Sequence, residues 1–352
     1  MTEAVFAIPG DKDRRTGGFI YEARVLKELN RIGCATAHLQ LPDSFPNPTR
    51  ADMRHTLNAL HAVPAHVPII LDGLVFGAID PAGLSKIAAP VIAMVHHPLG
   101  METGLPAQRA DFLLKNEAAA LRAVTHVVVP SPETARVLCR EFGADPNAIT
   151  VGLPGFDRPV VARQPVDPPL ILSVGLLAPR KGHDVLLAAL GQLPDLDWQA
   201  DIVGKTHDPD YAAGLQHQVD ALGMRERLRF RGQVDGAALC ARFNAASVFA
   251  LATRYEGYGM VLREAMFYGL PVVSCNVGAV ADTVKDAAIL VPADDATALA
   301  TALRQVLVDD AKAIDLSERA LKTSEKLPEW QDTAQVFAKV VRRCAPDAKE
   351  IV

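Results

Sequence analysis

The chain has 352 residues, of which 49% are hydrophobic and 22% charged. That balance excludes wholesale disorder and a small disulfide-stapled module, and at roughly 100–200 residues per domain it suggests two domains. With 36 basic and 41 acidic side chains the net charge is −5, lacking the basic footprint that general nucleic-acid binding needs.

In chain order, short β-branched runs alternate with amphipathic stretches. AVFAIP (4–9) reads as a buried strand, followed by a Gly-containing loop and a helix from Phe19 to Ile32. VPIIL (67–71), PVIAMV (90–95) and THVVVPS (125–131) are further buried strands; Ser131-Pro132-Glu133 then opens a helix with a hydroxyl cap and Pro in the first turn. PGFDRPVVARQPVDPP (154–169) holds five prolines and no period, the texture of an interdomain linker. The alternation restarts with strand LILSVG (170–175), a helix over Lys181–Leu190, strand WQADIVG (198–204) and a helix over Tyr211–Leu222. LRFRG (228–232), SVFALA (247–252), PVVSC (271–275) and AAILV (287–291) complete the strands, and an amphipathic helix spans Pro328 to Arg343. Near-continuous apolar strands separated by helices predict α/β architecture with parallel sheets covered on both faces. The expected organisation is a first domain over 1–157, a linker over 158–169, a second domain over 170–327 and a C-terminal helix in 328–352. That helix either packs across the domain pair or is the last cover of domain two. Ligands of such sheets bind at the carboxyl ends of the strands, so a cleft between the domains is the expected site.

Five scattered cysteines (Cys34, Cys139, Cys240, Cys275, Cys344) form no CxxC and no His/Cys cluster at zinc spacing. The expectation is no metal site and a reducing compartment. The first apolar run is too short for a signal sequence and no apolar stretch reaches the ~18 residues of a membrane span, which predicts a cytoplasmic protein. No repeat of 20–50 residues is evident.

Four segments could carry chemistry. In Tyr255-Glu256-Gly257-Tyr258-Gly259-Met260-Val261-Leu262-Arg263-Glu264, a strand ends just before and a helix is expected to start near Met260. Gly257 and Gly259 allow a tight turn and close approach to a ligand, and the N–H groups at the helix start suit a phosphate. Glu256 and Glu264 are carboxylates able to accept paired hydrogen bonds from sugar or ribose diols. A cap plus a solvated Glu is the plainer alternative, which the glycines and the strand-loop-helix context disfavour. In Ser173-Val174-Gly175-Leu176-Leu177-Ala178-Pro179-Arg180-Lys181-Gly182-His183, two cations at a helix N-terminus oppose its dipole unless an anion is bound, and a diphosphate fits; two solvated charges are the alternative. The loop Pro9–Gly18, with Gly17 and Gly18, resembles a phosphate-approach loop only loosely, and an exposed charged turn explains it equally well. His96-His97-Pro98-Leu99-Gly100 ends a strand; adjacent histidines face different ways, so at most one is a direct contact, and a structural histidine is the plainer reading. Arg24, Lys27 and Arg31 place three cations on one helix face, which could meet an anionic membrane carrying a lipid acceptor. Ordinary solvation, diluted by Glu22 and Glu28, is the alternative.

Taken together, these segments resemble the retaining family 4 glycosyltransferases (glycosyl transferases group 1). The likeness is strongest over 170–285, where Glu256 and Glu264 match two glutamates separated by seven residues, alongside SVG…RKG and PVVSCNVGAVADTV. The N-terminal match, through the TGG loop and HHPLG, is weaker. The resemblance implies the GT-B fold, two Rossmann-like doubly wound domains facing a cleft. It implies metal-independent transfer, with retention, of a hexose-type sugar from a UDP- or GDP-linked donor to a hydroxyl of a glycan, lipid or small molecule. The nucleotide sugar is then a substrate, and no cofactor is implied.

The resemblance also implies roles. Glu256 would contact the sugar hydroxyls and Glu264 the ribose. Backbone amides near Gly259, Met260 and Val261 would meet sugar and phosphate, and Lys181 the diphosphate. Gly17 and Gly18 would approach the phosphates, and His96 would sit beside the anomeric carbon. One departure is Leu176, where the family usually has Arg directly after the glycine at 175; Arg180 is a candidate to supply that charge. The competing readings are a nucleotide-sugar epimerase or phosphorylase of the same paired-domain fold, and a non-catalytic sugar-nucleotide-binding partner subunit, which Leu176 favours.

Overall fold

The computed structural model describes residues 2–14 and 16–346. They fall in two compact units, one running up to Asp157 and resuming at Pro328, the other of Arg158–Leu327.

The first unit is built on a six-stranded parallel sheet of β1 (Ala4–Pro9), β2 (Thr36–Leu41), β3 (Ile69–Asp72), β4 (Val91–Met94), β5 (His126–Val129) and β6 (Ile149–Val151), in the order β2-β1-β3-β4-β5-β6. The central strands β3, β4 and β5 are buried at every residue, as their unbroken apolar runs require. The two strands absent from the sequence reading, β2 and β6, are the edges. TAHLQL exposes its middle residues and ITV is only half-buried, so neither shows an apolar run. Helix Gly17–Arg31 follows β1 and buries Phe19, Tyr21, Val25, Leu26 and Leu29.

The C-terminal helix, Trp330–Cys344, belongs to this first unit. It buries Trp330, Phe337, Val340 and Val341, and the Tyr21 ring lies 5.9 Å from Trp330 and 6.1 Å from Phe337. A side chain at Gly155 would stand 2.3 Å from the Trp330 nitrogen, so only glycine lets the two crossings of the chain pass so closely. The sequence left the helix's partner open between the domain pair and domain two; within the first unit it packs on Tyr21 and on the loop at Gly155. Its apolar stripe gives the periodicity but not the partner. Residues 347–352 of the expected segment lie outside the described residues.

The second unit repeats the design with β7 (Leu170–Val174), β8 (Gln199–Val203), β9 (Leu228–Gly232), β10 (Val248–Leu251), β11 (Val272–Cys275) and β12 (Ala288–Val291), ordered β12-β11-β10-β7-β8-β9 and parallel throughout. The Pro-rich stretch at 158–169 has no helix or strand, and it is fastened to this unit. Gln164 and Val166 donate their N–H groups to the carbonyls of Asn244 and Ala245, and the Arg163 guanidinium donates to those of Tyr268 and Ala246. In each unit the strand order reverses once, between β1 and β3 and between β7 and β10. Doubly wound sheets take ligands in the crevice at that reversal.

Candidate active site

In the second unit, the loops leaving β7 and β10 meet at the reversal. Gly175 follows β7, and a Cβ there would lie 3.3 Å from Cγ and Cδ of Lys181, so its bare backbone makes room for the lysine stem. Pro179–Lys181 is a 3-10 turn, Gly182 follows at φ +64°, and the helix begins at His183 and ends at Leu190. The cations therefore precede the helix instead of opening it. A Cβ on Gly182 would fall 1.9 Å from the Ala252 carbonyl oxygen, locking this turn against the end of β10.

Glu256 is buried with its carboxylate turned onto that turn. Lys181 Nζ donates to Oε1 at 2.5 Å, Arg180 Nη1 lies 3.8 Å from the same oxygen, and Thr253 Oγ1 is 3.2 Å away. Burial pushes the Glu256 carboxyl up, but Lys181 and Arg180 outweigh it and leave the group below its ordinary range. Arg180 also donates to the Tyr255 carbonyl at 3.0 Å. Leu176 supplies no charge, and Arg180 reaches Glu256 from four positions further along.

Helix Met260–Phe267 starts at Gly259, whose φ of +86° suits glycine, and has no side-chain cap. The first N–H groups of the helix, on Met260 and Val261, have no helical carbonyl to bond. Glu264 lies one turn further in, half-buried, and among the described residues it makes no hydrogen bond or ion pair. Burial pushes it up to about 7. Beneath the loop, Gly278 at φ +50° would place a Cβ 2.3 Å from the Glu256 carbonyl oxygen, and the Ala279 N–H donates to that oxygen at 2.8 Å. NVGAVADTV is thus the floor under Glu256.

One group of supports escaped the sequence reading. The Arg254 guanidinium grips both carboxylate oxygens of Asp184 at 3.0 and 2.7 Å and donates to Asp294 at 2.7 Å; the Tyr211 hydroxyl donates to Asp184 at 2.6 Å. This network ties the turn bearing Lys181 to the loop bearing Glu256. Its members are up to 110 positions apart, so no local spacing could have revealed it.

In the first unit, Gly17 and Gly18 open the helix after β1. A Cβ on Gly18 would lie 3.4 Å from the His96 ring, and Tyr21 meets that ring edge-on at 5.6 Å. His96 Nε2 is 3.1 Å from Glu22 Oε1, whereas His97 turns away to Glu102, also at 3.1 Å. Asp72, the last residue of β3, caps helix Gly73–Ala78 by accepting the N–H groups of Leu74 and Val75 at 2.8 and 3.1 Å. The ligand-type atoms of Glu22, Asp72 and His96 lie within 4.8 Å of one another, a spacing that suits a hydrogen-bonded trio as well as a cation. Nearby, buried Glu117 accepts the N–H groups of Leu99 and Gly100 and anchors the loop after the histidines; burial pushes it up to about 7.

The cationic face of helix Gly17–Arg31 is largely consumed within the first unit. Arg24 pairs with Asp157 and lies over the Trp330 ring, and Arg31 pairs with Glu28 and donates to Gln331. Glu22 and Glu28, expected on the surface, are buried. Arg15 lies outside the described residues.

Residues 158–323 match the family model for glycosyl transferases group 1. The chain is 31% identical to a D-inositol 3-phosphate glycosyltransferase of Xylanimonas cellulosilytica, over 64% of this chain and 60% of that protein. It is 29% identical to D-inositol 3-phosphate glycosyltransferase 2 of Catenulispora acidiphila, over 68% and 60%. The chain thus spans about 60% of the length of these curated relatives. Among solved structures, sucrose-phosphate synthase of Thermosynechococcus elongatus superposes with a TM-score of 0.82 at 23% identity, covering 97% of this chain and 98% of that one. Anabaena HepE in complex with UDP-glucose superposes at 0.79 and 18% identity, covering 96% and 99%. These likenesses show the fold, the paired parallel α/β units of the GT-B class. Residues 158–323 of the chain are thus similar to the glycosyl transferases group 1 family.

Proposed function

We propose that the protein is a retaining glycosyltransferase that moves a hexose-type sugar from a UDP- or GDP-linked donor to a hydroxyl acceptor. The observation that carries this reading is the pair of unlike glutamates in the second unit. Glu256 is an anion matched by Lys181 and Arg180, and Glu264, one turn into helix Met260–Phe267, makes no hydrogen bond or ion pair among the described residues. A nucleoside diphosphate sugar needs cations for its phosphates, N–H groups for its oxygens, and acceptors for its sugar and ribose hydroxyls. All three kinds of group occur on the two loops. Lys181 and Arg180 are assigned to the diphosphate, Met260 and Val261 N–H groups to phosphate and sugar, Glu256 to the sugar hydroxyls and Glu264 to the ribose. Gly175, Gly257 and Gly259 admit the ligand to the backbone. On the first unit, His96 is assigned to a sugar contact and Gly17 and Gly18 to a phosphate contact.

The chemistry follows from charge. Lys181 holds Glu256 in the protein alone, and an arriving diphosphate would share the ammonium and free Glu256 for sugar hydroxyls. As the glycosidic bond breaks, charge grows on the leaving diphosphate, where fixed cations and N–H groups stabilise it without a metal. The acceptor attacks the oxocarbenium-like sugar from the leaving-group face, which retains configuration, and the departing phosphate takes the proton. Glu256 is therefore not assigned as the base. Neither a metal nor a cofactor enters this reading.

A thermal-shift screen against UDP-, GDP-, ADP- and TDP-sugars tests donor binding, since a ligand at 100 times its Kd stabilises by about 2.7 kcal/mol. One base series should raise the melting temperature. Transfer to hydroxyl acceptors, followed by NMR of the product's anomeric proton, should then show retention. The curated relatives are named for D-inositol 3-phosphate, so that compound belongs among the acceptors tried. No shift with any donor, or an acceptor-free epimerisation, would overturn the reading, as would undiminished transfer by Glu256→Ala.

A further inference from the structure

The trio in the first unit is more ordered than a chance meeting of polar groups. Glu22 is wholly buried, beside the carboxyl of Asp72 and the ring of His96. Its Oε1 meets His96 Nε2 at 3.1 Å. The imidazole is clamped by the Tyr21 ring edge and by the bare backbone of Gly18. Its Nδ1 makes no hydrogen bond among the described residues, and the side chain keeps 22% of its surface exposed. Nδ1 is therefore the polar atom that this site leaves for something else.

We propose that Glu22 is a positioning residue that holds His96 as the Nε2–H tautomer, so that Nδ1 faces outward as a hydrogen-bond acceptor for a substrate hydroxyl. The identity of the hydroxyl as one on a sugar or its acceptor rests on the glycosyltransferase reading; the tautomer does not.

Two buried carboxyls this close cannot both ionise at low cost. Burial, reinforced by the neighbouring Glu22, raises Asp72 well above its ordinary range. Burial pushes Glu22 up as well, to about 7. The pair thus holds a proton between them, while Asp72 Oδ1 accepts the two N–H groups of the helix it caps. Glu22 is left as the acceptor for Nε2–H. Burial also lowers His96, so the ring is neutral and carries a single N–H. With that hydrogen committed to Glu22, Nδ1 has only its lone pair to offer. A hydroxyl can donate to it, whereas a carbonyl or carboxylate cannot. A cation on the trio would compete with this arrangement, but Asp72 Oδ1 is already engaged by two N–H groups.

The test is a long-range proton–nitrogen NMR spectrum of the full-length protein labelled with nitrogen-15 histidine, at pH 7.5 without substrate. His96, assigned by its loss in His96→Asn, should show a protonated Nε2 and a bare Nδ1. Glu22→Leu should release that preference, and Glu22→Gln, which keeps a carbonyl acceptor, should restore it. In the transfer assay Glu22→Leu should lower kcat/KM at least about tenfold, with Glu22→Gln recovering most of the difference. A wild-type His96 protonated at Nδ1 overturns the proposal even if no variant folds. So does an unchanged tautomer in Glu22→Leu, or a stoichiometric metal whose chelation shifts the His96 signals. Because the spectrum needs no substrate, a correct tautomer in a protein that transfers no sugar would sink the functional reading and leave this one standing.

Discussion

Glu256 and Glu264 show that burial alone does not set the state of a carboxyl. The more deeply buried Glu256 is the more acidic, because Lys181 and Arg180 repay its desolvation; Glu264 has no such partner and rises to about 7. Glu256→Gln removes the anion and leaves two cations facing a neutral amide. At about 2–3 kcal/mol for charged hydrogen bonds, kcat/KM for transfer should fall roughly 30- to 150-fold, read in steady-state kinetics. Glu264 makes a pH prediction. If the ribose prefers the ionised carboxylate, donor affinity should be about tenfold weaker at pH 6 than at pH 8, with Glu264→Gln flattening the profile in a titration of bound donor. Stability runs the other way. The folded protein binds the proton that the unfolded chain releases near 4.5, so this contribution is complete below that pH and lost as pH rises towards 7. Glu264→Gln should therefore gain melting temperature over wild type at pH 8 relative to pH 5.

At the scale of elements, the site is a set of turns held by glycines where only glycine fits. Gly278 combines a positive φ with a contact to the peptide of Glu256, whereas Gly223 has the same sign of φ, +66°, and open space around it. Gly223→Ala should cost about 1–2 kcal/mol for the backbone alone. Gly278→Ala must in addition displace the loop under Glu256. It should lower the melting temperature further and weaken donor binding, and calorimetry with a donor titration separates the two effects. Gly257 and Gly259 were legible as turn-formers within the 255–264 segment, whereas Gly278 and Gly223 were not singled out. The brace of Arg254 on Asp184 and Asp294 was not legible, because an ion pair between distant loops leaves no periodicity in either.

For the molecule as a whole, the chain crosses back after building its second unit and finishes on its first. Deleting residues from Pro328 onward should strip Tyr21, Phe156 and the sheet of their cover by Trp330 and Phe337. Four buried side chains, Trp330, Phe337, Val340 and Val341, at about 1.5–3 kcal/mol each rival a domain's whole margin of about 5–15 kcal/mol. The truncated protein should therefore lose the first unit's melting transition in calorimetry and bind a hydrophobic dye, with the second unit's transition retained. No helix among the described residues is long and apolar enough to cross a membrane. With Arg24 and Arg31 already engaged, sedimentation with anionic vesicles at low salt should leave the protein in the supernatant, and salt-sensitive binding would restore the cationic stripe as a membrane contact.

The α/β class, ten of the twelve strands and the neighbourhood of Glu256 with Lys181 could be read from residue order, since buried parallel strands are written as unbroken apolar runs and tight ligand loops as glycines beside charges. Order along the chain could not say which unit the last helix covers, that Glu22 turns inward to His96, or that Asp72 is buried beside Glu22. Those outcomes depend on which surfaces meet after folding. An amphipathic stripe fits any apolar groove, and a carboxyl's charge follows from neighbours brought to it from elsewhere in the chain.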